Sequence, residues 1–120
     1  MPEIVSINEQ DAIIQVDSYG SVNEYDLTQS LGSVLKIVEE KGLNKILINA
    51  ATQTSLTPSA KDLQYFALKL SILSRNLKHA IVVSPHTFES LYFLETVSVS
   101  RGVNMQIFGS CDTALAWLKE

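Results

Sequence analysis

The chain has 120 residues, 46% of them apolar and 18% charged, a mixture that excludes disorder and supplies one core of ordinary size. Its formal charge is −4 with a pI near 5.1, the wrong sign for a protein that binds nucleic acid through phosphate contacts. A lone cysteine, Cys111, excludes an internal disulfide framework and every multi-cysteine metal site.

At this length a folded surface of roughly 6,400 Å² is expected against about 19,000 Å² unfolded, so residues 1–120 are read as one domain. No apolar run approaches the ~18 residues of a membrane span. Met1-Pro2-Glu3 opens with an acid where a secretory leader carries basic residues, and with one thiol the expected location is the cytoplasm. The glycines and prolines are scattered, and no repeat or linker is visible.

In chain order, Ile4–Ile7 and Ala12–Val16 are β-type runs, and Asn8-Glu9-Gln10-Asp11 between them suits a hairpin loop. Tyr19–Val22 closes the second strand. Leu27, Leu31, Val34, Leu35 and Val38 then fall on one helical face, with Asp26 and Gln29 spaced as a capping box and Gly42 placed as a left-handed stop. Lys45–Asn49 has the look of a strand buried on both faces, followed by a polar loop from Ala51 to Thr57. Pro58 starts a second helix whose stripe is Leu63, Phe66, Ala67, Leu70, Leu73 and Leu77. His79–Ser84 is another buried strand, a third helix runs from about Thr87 to Arg101, and Val103–Phe108 is a last strand near a sheet edge. Ser110-Cys111-Asp112 caps a short helix carrying Ala114, Leu115, Trp117 and Leu118. The order is β-β-α-β-α-β-α-β-α: an α/β domain, with a mixed sheet that opens on an antiparallel hairpin and continues in parallel through right-handed crossovers.

This order resembles the STAS fold of anti-sigma-factor antagonists and sulfate-transporter tails, and in particular its SpoIIAA-like branch, which some classifications group with lipid-binding SEC14-like domains. Three places carry the likeness: the hairpin followed by a helix, Ile46-Leu47-Ile48-Asn49 running into a polar loop and a long helix, and the ending from Gln106-Ile107-Phe108 through Asp112 to Trp117-Leu118. The resemblance implies a regulatory protein-interaction domain with no catalysis. Phospho-regulated members place an Asp-Ser or Asp-Thr pair at the start of the helix after the central strand. The matching stretch here, Thr54-Ser55-Leu56-Thr57-Pro58-Ser59, has hydroxyls with no Asp beside them, and Asn49 stands where an acid often ends the strand. These departures argue against the phospho-switch.

Taken physically, Thr54, Ser55, Thr57 and Ser59 form the candidate phospho or anion loop, beyond the C-terminal end of a central strand and ahead of a helix N-terminus. Thr57 before Pro58, and Ser59 with Asp62 three residues on, are ordinary helix-cap arrangements, and capping is the reading that prevails. His79 and His86, seven apart, match no metal spacing. His86 is the one candidate general base, near a helix start that would depress its pKa. Cys111 reads as a turn residue beside Asp112, and Trp117 as core. The acids Asp11, Asp17, Glu24 and Asp26 match no cation-loop motif. The third helix carries more apolar bulk than one stripe needs, which makes Tyr92, Phe93 and Val99 a candidate interface, with Tyr65 and Ile72 also off the stripe of the second helix. No cofactor and no metal is expected. The expected partner is a protein or a second copy of the chain, as a homodimer; the alternative is a binding module for a small apolar or anionic ligand, held between the third helix and the sheet with Thr52–Ser59 at the mouth.

Overall fold

Asn8 and Asp11 tie the first turn, the Asn8 side-chain amide donating to Asp11 Oδ2 at 3.1 Å and its Oδ1 accepting from the Asp11 N–H at 3.3 Å, the local bonding that favours Asn and Asp in turns. This sets β1 (Glu3–Asn8) antiparallel to β2 (Ile13–Val22), in register from Glu3↔Ser18 to Asn8↔Ile13. The computed structural model describes residues 3–120; Met1 and Pro2, with the reading of them against a leader, lie outside the described residues.

Helix α1 (Glu24–Lys41) starts on a capping box of Asn23 and Asp26, not Asp26 and Gln29. Asn23 offers the same chemistry one turn upstream, and Gln29 Nε2 instead donates to the Tyr25 hydroxyl. Gly42, at φ 70°, ends the helix as expected, its N–H donating to the Val38 carbonyl.

Strand β3 (Lys45–Leu56) is seven residues longer than the apolar run ending at Asn49 suggests. The continuation is polar, but β2 also continues, to Val22, and gives it a partner. The pairing slips between Asp17/Tyr19 and again between Gly20/Ser21, each time with one extra residue on β3. Each such bulge reverses which face a residue points to. Helix α2 (Ala60–Leu73) follows with Ser59 as its N-cap, so Pro58 precedes the cap and is not the first helical residue. Then come β4 (Lys78–Val82), α3 (Phe88–Ser100), β5 (Asn104–Phe108) and α4 (Cys111–Leu118).

The sheet order is β1-β2-β3-β4-β5, all neighbours after the first pair being parallel. Right-handed crossovers that always advance the same way leave α1, α2 and α3 on one face. Leu31, Ala67, Leu70, Leu91 and Leu94 from these helices pack there on Ala50, Ile81 and Met105. Helix α4 covers the other face, where Ala114 and Leu118 pack on Ile13, Leu47, Ala80 and Val82. The Trp117 ring lies 5.5 Å from that of Phe108, and Lys78 Nζ sits 4.4 Å above it while donating to the Trp117 carbonyl. The exposed surface is 6410 Å², as the scaling expects. Among the described residues no helix is long and apolar enough to cross a membrane.

Candidate functional site

On the helix face of the sheet the rows are apolar until they reach the Glu3 end. Val5 and Ile7 of β1 face Val16 and Ile14 of β2, but the next pair is Glu3 and Ser18. On β3 the helix-facing residues are Ile46, Ile48 and Ala50; the two bulges then bring Gln53 and Leu56 to the same side. Gln53 is therefore 2% exposed in a stretch whose alternation alone would turn it outward.

Two hydrogen-bonded pairs sit side by side among these groups. Gln53 Nε2 donates to Ser18 Oγ at 2.7 Å, Ser30 Oγ of α1 donates to Glu3 Oε1 at 2.5 Å, and Glu3 stands opposite Ser18 in the strand pair. Burial pushes the Glu3 pKa above the ordinary carboxylate value; the Ser30 and Ser18 hydroxyls pull it partly back, and Asp26 adds to the rise. The Gln53 carbonyl accepts from Ser84 Oγ at 3.0 Å, which supplies a partner where β4 has ended. Gln53 Oε1 has no hydrogen-bond partner among the described residues.

This polar cluster ends a narrow crevice of about 70 Å³ between the sheet and the helices. Its walls are carbon: Ile48, Ala50, Phe66, Leu70, Ile81 and Leu94 among them. The crevice exists because α1 approaches β1 and β2 closely and α3 approaches β5, whereas α2 makes its close approach to α3. His79, at the far end, is 2% exposed and sits 3.4 Å from the Ser74 carbonyl. A carbonyl only accepts, so Nε2 carries the proton, and burial lowers the pKa to about 4 despite that bond.

The predicted loop is not one. Thr54 and Ser55 belong to β3, and Ser55 Oγ donates to Ser21 Oγ across the strand pair at 2.7 Å. Thr57 is tied to Val22, its Oγ1 3.4 Å and its N–H 2.9 Å from that carbonyl. Ser59 accepts from the Asp62 N–H at 3.2 Å, and Asp62 Oδ2 accepts from the Ser59 N–H at 3.4 Å. A carboxylate of the chain itself thus stands at the α2 N-terminus, and the four hydroxyls do not converge. Nor does this stretch form the mouth of the crevice, which of Thr52–Ser59 takes only Gln53. His86 is exposed on the turn before α3. The Cys111 thiol is pushed up by burial, Asp112 and Asp17, away from a reactive thiolate. Among the described residues no three His, Cys, Asp or Glu side chains are grouped to hold a metal.

The interface candidates separate. Tyr92 and Val99 are 54% and 51% exposed and share a stripe with Phe88, whose ring stacks on Tyr92 with centroids 5.9 Å apart. Phe93 is half-buried, about 100° further around the helix. On α2, Tyr65, Leu68 and Ile72 form a second outward stripe, with Lys69 Nζ 5.0 Å from the Tyr65 ring centroid. Composition had indicated these surfaces. It gave no hint of Glu3 and Gln53; the signal that existed was Tyr19-Gly20-Ser21-Val22, a strand continuation that required a partner.

No family model and no curated protein matches the sequence. Among solved structures, an uncharacterized protein of the DUF3478 family from Shewanella loihica PV-4, with a SpoIIAA-like fold, is similar over 97% of this chain and 91% of that one, at 18% identity and a TM-score of 0.63. The chain thus has a SpoIIAA-like fold, as its element order had suggested.

Proposed function

We propose that this chain is a non-enzymatic interaction domain of regulatory type, like the STAS proteins it resembles, and that it associates with a second copy of itself through the outer surface of α2 and α3. The observation that carries this reading is where the exposed apolar side chains fall. Large apolar side chains scattered singly need no explanation. Here seven of the ten among the described residues share two adjacent helices: Tyr65, Leu68, Ile72 and Leu73 on α2, and Phe88, Tyr92 and Val99 on α3. Helix α3 carries apolar side chains both inward, Leu91 and Leu94, and outward, Phe88, Tyr92 and Val99, more than one buried stripe needs.

Covering side chains that are about half exposed recovers roughly half of the 1.5–3 kcal/mol that full burial of an apolar side chain is worth, and aromatic residues are enriched at the cores of interfaces. A twofold arrangement would set the same patch against itself. The non-enzymatic part of the proposal draws on where these groups stand: His79 is locked in the core, His86 lies on an exposed turn outside the lining of the crevice, and the Cys111 thiol is shifted away from ionisation. The proposed location is the cytoplasm, where a lone unpaired thiol is at home.

Sedimentation equilibrium over a range of concentrations tests the reading. The wild-type chain should approach twice its 13.2 kDa mass, and the double variant Ile72→Glu, Tyr92→Glu should remain a monomer with an unchanged circular dichroism spectrum. A wild-type monomer at every concentration, or a variant that still dimerises, would refute association through this surface.

A further inference from the structure

The polar end of the crevice holds two directed bonds, Gln53 Nε2 to Ser18 Oγ and Ser30 Oγ to Glu3 Oε1. Gln53 Nε2 donates to Ser18 Oγ at 2.7 Å, so the Ser18 hydroxyl accepts on that side. With Nε2 turned to Ser18, the Gln53 carboxamide leaves Oε1 as an acceptor, the residue being only 2% exposed. Buried acceptors without partners are rare in folded proteins; Oε1 has none among the described residues, and its residue, Gln53, lines the crevice between the sheet and the helices.

We infer that the crevice is a binding site for a small neutral molecule with an apolar body and one O–H or N–H donor, the donor bonding Gln53 Oε1. The walls of Ile48, Ala50, Phe66, Leu70, Ile81 and Leu94 offer the body only carbon. A volume of about 70 Å³ holds about five water-sized groups, the size of a short-chain alcohol. Anions are disfavoured, because the groups they would meet, Glu3 and Gln53 Oε1, are acceptors and one is acidic. The site lies beneath the helices and does not depend on association through their outer surface.

The test is a methyl NMR titration of the full chain with 1-butanol, with its isomer 1-methoxypropane, which has the same number of heavy atoms and no donor, and with butyrate at neutral pH. The methyls of Ile48, Ala50, Ile81 and Leu94 should shift with butanol, butanol should bind about tenfold more tightly than the ether, and butyrate should leave them unmoved. In Gln53→Leu the alcohol should lose its advantage over the ether. Should that variant misfold, the comparison of the two isomers on the wild-type chain still decides. Equal affinity for alcohol and ether would mean that water serves Gln53 and would overturn the proposal. So would tighter binding of butyrate, shifts confined to the outer Ile72 and Val99 methyls, or no shift in the crevice at all.

Discussion

His79 and Glu3 stand on the same side of the sheet, and burial moves their pKa values in opposite senses because it disfavours the charged form of each. For His79 the folded value is about 4 against 6.5 for the free group. Between those values the unfolded chain binds more protons, so stability falls as pH drops from about 6.5 to 4, by roughly 3 kcal/mol at most. Glu3 acts the other way: with its folded pKa raised above 4.5, the folded chain holds the extra proton, and stability falls as pH rises through that window. Urea unfolding at pH 7, 5.5 and 4.5 separates the two. The His79→Gln variant should lose less stability on acidification than the wild type. An equal loss in both would show that His79 is not buried as a neutral ring.

At the scale of elements, the order of strands and helices was legible because the apolar period changes wherever the chain changes state: Leu27 to Val38 repeats as a helix and Ile46 to Ile48 as a buried strand. The far half of β3 was not legible. Ala51-Thr52-Gln53-Thr54-Ser55 has a loop's composition, and only its partner, β2 as far as Val22, holds it extended. That extension dissolved the predicted anion loop and, through the first of its two bulges, buried Gln53. The surviving part of the loop, Ser59, acts as the N-cap of α2. Ser59→Ala should destabilise the fold by about 1 kcal/mol in thermal or urea unfolding and leave the mass in solution unchanged. A change of association state with this substitution would restore a binding role to the residue.

On the scale of the whole molecule, the two faces of the sheet are covered unequally. Helix α4 seals its face with Ala114, Leu118 and Trp117 over Leu47, Ala80 and Val82. The opposite layer of three helices closes on the sheet at its sides but leaves a crevice beneath α2, and turns two apolar stripes outward. The outer face of α2 and α3 was partly visible in composition, since Tyr92, Val99 and Ile72 exceed what one buried stripe requires. Which of those side chains point outward was not visible: Phe93 proved half-buried, and Leu68, Leu73 and Phe88 are exposed. The most direct test of the interaction surface is paramagnetic attenuation of methyl signals by a soluble gadolinium chelate, read at high and low protein concentration. Ile4, 52% exposed on β1, serves as the internal reference. At high concentration the Ile72 and Val99 methyls should be attenuated less than half as much as that of Ile4, and on dilution they should become as accessible as their 72% and 51% exposure in the single chain implies. If Ile72 and Val99 are attenuated as strongly as Ile4 at every concentration, α2 and α3 do not form the interface between copies of this chain.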